Sequence, residues 1–311
     1  MTWSGSGSRR TAGRVGAGLG LAAAAGVAWG AGVEVRSFRL RTVTVPALPA
    51  GSAALRVLHL SDLHLLVRQE RKRTFVRELA RLQPDLVVDT GDHLGAVDAL
   101  PALLDTLGPL LERPGCFVFG SNDYTAPIPR NPVRYLLPAS LAGPPKQDGV
   151  ALPFEELRSG LRAGGWADLD NATARVALAD GRTVSLAGVD DPHIGREDLD
   201  VLATAPGPGV DAAIAVAHAP YRRVLDTAVG AGWPLVLAGH THGGQLCIPG
   251  WGAVVSNCDL PVRQASGLSL WRDPYGDTGW LHVSAGLGTS PYAPVRFACP
   301  PAATLLTLVG A

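Results

Sequence analysis

Five short apolar runs, at residues 55–60, 85–89, 116–120, 213–217 and 234–238, limit the possible folds of this chain more than any other feature. Each reads as a buried strand, and each is followed at once by Asp, Asn or His. In open α/β sheets the carboxyl ends of the strands form the ligand crevice, so polar residues delivered there converge although they lie far apart in sequence. Stretches with charged faces at 71–82, 96–112, 154–163 and 221–229 fit as helices between the strands. Further strands are expected at 174–179, 183–187, 280–284 and 304–309. The Pro-rich stretch 126–149 reads as a long ordered loop.

With 311 residues, 47% of them hydrophobic, the chain can bury a sizeable core. Its 27 basic residues balance 27 acidic ones, which excludes a charge-led nucleic-acid binder, and no nucleic acid is expected as a partner. The many glycines (38) and prolines (25) follow no collagen-like period and point to tight turns between short elements. Four cysteines, Cys116, Cys247, Cys258 and Cys299, form no CxxC pair, which excludes a zinc ribbon or a thioredoxin-like motif. Sequence alone does not rank the three ways of pairing them.

The strand ends carry Asp62-Leu63-His64, Gly91-Asp92, Gly120-Ser121-Asn122-Asp123, His218 and Gly239-His240-Thr241-His242-Gly243-Gly244. Asp62 and His64 share a face if the backbone is still extended there. Two carboxylates, one amide oxygen and three imidazoles suit a pair of first-row divalent ions such as Mn, Fe or Zn better than Ca or Mg. A lone Asp-x-His is an ordinary turn; five such pieces in this order, each behind a buried strand, are not.

In these motifs the chain resembles the calcineurin-like metallophosphoesterase superfamily, whose signature runs Asp-x-His, Gly-Asp, Gly-Asn-His, a lone His and Gly-His-x-His. The resemblance spans residues 55–309. The stretches Leu58-His59-Leu60-Ser61-Asp62-Leu63-His64 and Gly239-His240-Thr241-His242-Gly243-Gly244-Gln245 are similar to a bacterial, membrane-linked subgroup that includes UDP-2,3-diacylglucosamine diphosphatases. The fold implied is α/β, a four-layer αββα sandwich of two mixed sheets flanked by helices. The resemblance makes Asp62, His64 and His242 ligands of one metal ion and Asn122, His218 and His240 ligands of a second, with Asp92 bridging them. A hydroxide held between two such ions, about 3.5 to 4 Å apart, then attacks phosphorus in line. The function implied is hydrolysis of phosphoesters or diphosphates, on a phosphate-containing small molecule or a lipid-linked substrate. A noncatalytic metal-binding scaffold and a cyclic-nucleotide phosphodiesterase are the alternatives.

The pattern departs from the family at Asp123, where a His is usual after the Asn, and Ser121 reads as an insertion. Asp123 is therefore either a catalytic general acid working beside Asn122 or a partner of a metal-bound His. His93, next to Asp92, is read as touching substrate. Arg130 and Arg134, with Lys146, offer cations for a diphosphate. His59 and His282 read as packing residues, and His193 sits in a turn facing either the cleft or solvent.

Arg9, Arg10 and Arg14 precede an uncharged, Ala- and Gly-rich run at 15–33, nearly long enough to cross a hydrocarbon core of about 30 Å. Residues 1–50 are expected to be a leader, as a membrane anchor, an export signal or a disordered segment, and 51–311 the catalytic domain. On that reading the protein is membrane-associated or exported, with its catalytic domain outside the cytoplasm. Arg36, Arg39 and Arg41 balance the three arginines before the run, so orientation stays open.

Overall fold

A computed structural model describes residue 20 and residues 24–129 and 149–311. Arg130, Arg134 and Lys146 lie outside the described residues, as does most of the Pro-rich loop. The first sheet is begun by β1 (Arg39–Leu48), β2 (Leu55–Leu60), β3 (Leu86–Asp89), β4 (Gly115–Phe117) and β5 (Ala167–Asp168). The chain then passes to the second sheet through β6 (Ala172–Ala177), β7 (Thr183–Val189), β8 (Ala212–Ala217) and β9 (Leu235–Ala238). A small hairpin of β10 (Cys247–Ile248) and β11 (Gly252–Ala253) follows. Strands β12 (Gly267–Arg272) and β13 (Thr278–Val283) complete the second sheet, and β14 (Ala302–Gly310) returns to the first. The strand orders are β1-β14-β2-β3-β4-β5 and β12-β13-β9-β8-β7-β6. Both sheets are mixed: β2, β3, β4 and β5 run parallel while β14 runs against β2, and β7, β8, β9 and β13 run parallel between antiparallel edges.

Alternation within each strand explains the layers. In β2, Leu58 and Leu60 face the helices while Leu55 and Val57 face the other sheet. In β8, Ile214 and Val216 point between the sheets while Ala215 and Ala217 point to the opposite helical layer. Strands buried on both faces read as continuous apolar runs, which is why they stand out in the sequence. The outer layer on the first sheet includes α1 (Glu70–Glu78), α2 (Leu100–Leu111) and α4 (Phe154–Ala163), with the single turn α3 (Ser121–Tyr124) at a strand end. On the second sheet lie α5 (Asp200–Ala203) and α6 (Arg222–Gly230). The result is the expected four-layer sandwich. His59 and His282 meet between the sheets, Nδ1 to Nδ1 at 2.9 Å, as packing residues.

The domain begins earlier than residue 51. Residues Arg39–Leu48 form a full edge strand paired in parallel with β14, so the boundary of the expected leader is too late. This strand alternates between exposed and half-buried positions along most of its length and contains Pro46, so it lacks the apolar run that marks the others. Residues 24–32 are helical, and Glu34 binds the Cys299 amide at 2.5 Å, joining this region to the fold. Among the described residues no helix is long and apolar enough to cross a membrane.

Candidate metal centre

All the expected metal ligands described so far lie at the carboxyl ends of strands. Asp62 and His64 follow β2, Asp92 follows β3, Asn122 lies in the turn beyond β4, His218 follows β8, and His240 and His242 follow β9. Five of them, Asp62, His64, Asp92, His240 and His242, have positive φ between 40° and 66°. Non-glycine residues rarely adopt this left-handed region, and such strain persists only where the surroundings fix it. Here the fixing bonds run between loops: the Asp62 amide donates to the Gly91 carbonyl at 2.8 Å, and the His64 amide to that of Asp92 at 2.9 Å. The His240 amide donates to the Asp62 carboxylate at 3.1 and 3.2 Å. Two glycines allow the loops to approach this closely. A Cβ at Gly239 would lie 1.8 Å from Ser61 Oγ, and one at Gly120 would lie 2.3 Å from Asp92 Oδ1.

Asp62, His64, Asp92 and His242 are buried and each turns one ligand atom into a cluster whose atoms lie within 4.8 Å of one another. His64 Nε2 is 3.3 Å from Asp92 Oδ2 and 3.3 Å from His242 Nε2. Across Asp92 lies a second half: His218 Nε2 is 3.6 Å from the same Oδ2, and Asn122 Nδ2 donates to it at 2.8 Å. His240 closes that side, its ring centroid 5.2 Å from that of His218. Asp92 Oδ2 thus stands between both halves.

The donor chemistry fits divalent cations. His218 Nδ1 lies 2.6 Å from the Thr90 carbonyl and His242 Nδ1 lies 3.0 Å from that of Gly288. A carbonyl only accepts, so each Nδ1 carries a proton and each Nε2 is the nitrogen that faces the centre, free to bind a cation once it is unprotonated. The buried His218 Nε2 has no hydrogen-bond partner among the described residues. Asn122 as placed orients Asp92. A half-turn of its amide exchanges nitrogen for oxygen, and two oxygens 2.8 Å apart are tolerated when a cation lies between them.

Charge in the centre follows from burial. Burial raises the Asp62 and Asp92 carboxyls above their ordinary range and drives His64 and His240 well below theirs. His242 falls to about 4, again chiefly through burial, with Arg296 adding to it. For His218 burial pulls the same way, but the carboxylates of Asp92, Asp191 and Asp62 outweigh it and lift the imidazole to about 9. The field that holds a proton on His218 is one that would hold a metal cation there instead.

The structure corrects the readings of Asp123 and His93. Asp123 is fully buried and accepts from the amides of Asp92 (2.8 Å), His93 (2.8 Å) and Gly120 (3.0 Å). Burial tends to raise its carboxyl, but the adjacent His93 and these bonds hold it below the usual range. A carboxylate so engaged does not protonate a leaving group; it anchors the loop that carries Asp92. His93 is fully buried between Asp89 (3.4 Å) and Asp123 (3.0 Å), so it does not meet substrate.

Three residues beyond the expected set shape the centre. Lys72 is buried and donates to the Leu63 carbonyl at 2.6 Å, between the two first ligands. Arg296 is buried beneath the last loop and donates to the carbonyls of His242, Ala285 and Gly288, at 3.3, 2.8 and 2.6 Å. Both act on backbone carbonyls, and no local motif marks that role. His193 enters the cleft: its ring centroid is 4.3 Å from that of His240, and Nδ1 lies 2.9 Å from the Tyr221 hydroxyl.

The sequence profile described as calcineurin-like phosphoesterase matches residues 55–244. The chain is 24% identical over 279 residues to an uncharacterized metallophosphoesterase, YkuE, of Bacillus subtilis, covering 86% of this chain and 83% of the relative. It is 26% identical over 269 residues to the phosphodiesterase YaeI of Escherichia coli, covering 83% of each. Among solved structures it is similar to a 5'-nucleotidase precursor from Thermus thermophilus, at 16% identity and a TM-score of 0.43, covering 83% of this chain and 54% of that one.

Proposed function

The chain belongs to the calcineurin-like phosphoesterase family of metal-dependent phosphoester hydrolases, and from that premise we propose that it works with two divalent cations, Mn, Fe or Zn, on either side of Asp92. Asp62, His64, Asp92 and His242 hold one cation; Asp92, His218, His240 and Asn122 hold the other. The observation that carries this reading is the position of Asp92 Oδ2, 3.3 Å from His64 Nε2 on one side and 3.6 Å from His218 Nε2 on the other. Cations bound there lower the pKa of water toward neutrality and neutralise charge gathering on a phosphoryl group.

The protein's own part is orientation. Thr90 and Gly288 fix the His218 and His242 rings through Nδ1, while the Asn122 backbone N–H holds Asp92 Oδ1 at 2.8 Å. With His93 sealed in the interior, His193 is the imidazole beside the cleft and takes the substrate-facing role. A lipid-linked or otherwise amphiphilic phosphate ester is the substrate class we favour. In support, exposed Trp29 and Phe297 lie near the β10–β11 hairpin, whose Ile248 and Trp251 are also exposed, Trp251 at 81%. Such an apolar surface suits contact with a bilayer, and a site on the membrane or outside the cytoplasm belongs to the same proposal.

The test is metal content and turnover of the purified full chain on an aryl phosphodiester, nucleotide diphosphate sugars and phospholipids. Turnover should vanish on chelation and return with one of the three metals at two ions per chain. Turnover that survives complete metal removal, or one ion per chain at full activity, would overturn the reading.

A further inference from the structure

The structure ranks the cysteines that the sequence leaves unranked. Cys116 is buried between the sheets and Cys258 beneath the outer helices, each in its own apolar cluster. Cys247 and Cys299 instead lie together behind the loop that carries His242. Their thiols reach one oxygen: Cys247 Sγ is 3.3 Å and Cys299 Sγ 3.4 Å from the Gly243 carbonyl. They also interact with each other, and Cys247 packs on the cluster formed by Cys299, Ala285 and Ala302. The backbones are held in register, with the Cys247 amide donating to Phe297 at 2.8 Å and the Phe297 amide to Gln245 at 3.0 Å. Cys247 is half-buried and Cys299 nearly sealed.

We propose that Cys247 and Cys299 are a redox pair that closes to a disulfide and covalently ties the His242 loop to the segment leading into β14. A hydroperoxide reaches the more accessible Cys247 first and oxidises its thiol to a sulfenic acid, being itself reduced to an alcohol, or to water from hydrogen peroxide. The Cys299 sulfur then attacks the Cys247 sulfur, forming the S–S bond and expelling water. Two thiols and one peroxide thus give one disulfide, with both thiol protons leaving in water or alcohol. Closure removes the two S–H donors from the Gly243 carbonyl, and the link holds the loop in their place. It also encloses about 50 residues of chain, so the unfolded state loses freedom that the native state never had. The inference stands whether or not the two-cation reading holds, because it concerns the loop and not the reaction.

The experiment treats the purified full chain with hydrogen peroxide, caps free thiols, and maps linked peptides by mass spectrometry. The expected result is a mass lower by about 2 Da, a single link joining Cys247 to Cys299, and two free thiols on unfolding, at Cys116 and Cys258. The linked protein should melt about 5 to 10 °C higher than the reduced protein, and dithiothreitol should reverse the shift. Cys247→Ser, at the more accessible position, should fold and show no link and no shift; Cys299→Ser should behave alike. Four free thiols after treatment, a link between any other pair, or an unchanged melting temperature in linked protein would each overturn the proposal.

Discussion

Replacing Asp123 by Asn separates an anchoring role from an acid–base one. The carboxylate takes five contacts in the buried interior. Oδ2 accepts from the amides of Asp92 and Gly120 and faces His93 Nδ1, while Oδ1 accepts from the His93 amide at 2.8 Å and sits 3.4 Å from that of Leu94. An asparagine can keep only one oxygen. Its least costly orientation puts the NH₂ in place of Oδ1, where it confronts the buried His93 amide and leaves that donor unpaired, at about 1 to 3 kcal/mol. Losing the charge beside His93 adds to this, although Asp89 remains 3.4 Å from Nε2. The sum is about 2 to 4 kcal/mol, or a melting temperature lowered by roughly 3 to 6 °C.

The Asp92 loop loosens with it, so activity should fall by one factor on every substrate. The assay compares an alkyl phosphoester with an aryl ester whose phenol has a pKa of about 7, alongside metal content and thermal denaturation. General acid catalysis contributes roughly 10²- to 10⁴-fold, and only where the leaving oxygen needs a proton. A loss of that size confined to the alkyl ester, with unchanged stability and metal content, would refute the anchoring argument.

Asp92→Ala should strip both cations and nearly all turnover, whereas Asp62→Ala should weaken mainly one site; metal analysis showing two ions retained in Asp92→Ala would contradict the shared position of Asp92. Cation binding should release protons, because His218 is held up to about 9 and must give up its proton to bind. Affinity should therefore fall as pH drops below about 9, by up to tenfold per unit, while His242, at about 4, adds nothing near neutrality. Calorimetry in buffers of different ionisation enthalpy checks this, and binding without proton release at pH 7 would exclude it. A chain shortened to begin at residue 51 loses β1 and bares the β14 edge, and should aggregate or melt lower than one beginning at residue 33; equal solubility and melting temperature would show that β1 is dispensable.

What was legible in the sequence followed from burial. Strands covered on both faces wrote themselves as apolar runs, and the residues ending those runs were the ones the fold gathers: Asp62, His64, Asp92, His218, His240 and His242. The edge strand β1 was not legible, because most of its outward residues meet water and its pattern shows no apolar run. Nor were Lys72 and Arg296, whose partners are backbone carbonyls, which no side-chain pattern marks. Asp123 was misread because a family pattern shows which residue types recur and not which side chains turn inward. Only the contacts with the amides of Asp92 and His93 distinguish a buried anchor from a residue of the cleft.

Those two buried cations also explain how the centre keeps its negative charge. Lys72 and Arg296 are both close enough to disturb the ligands: burial lowers Lys72 to about 7 and pulls Arg296 below its ordinary value, and both contribute to lowering His64. Had either formed an ion pair with Asp62 or Asp92, that carboxylate would already be neutralised and its affinity for a metal reduced. Instead Lys72 is directed to the Leu63 carbonyl and Arg296 to carbonyls of the His242 and 285–288 loops. The two side chains therefore hold left-handed backbone in place through its oxygens and leave the carboxylates to the centre. Desolvation of Asp62 and Asp92 and strain at the five positive-φ ligands are established by folding, before any ion arrives, so ion binding need not supply that free energy.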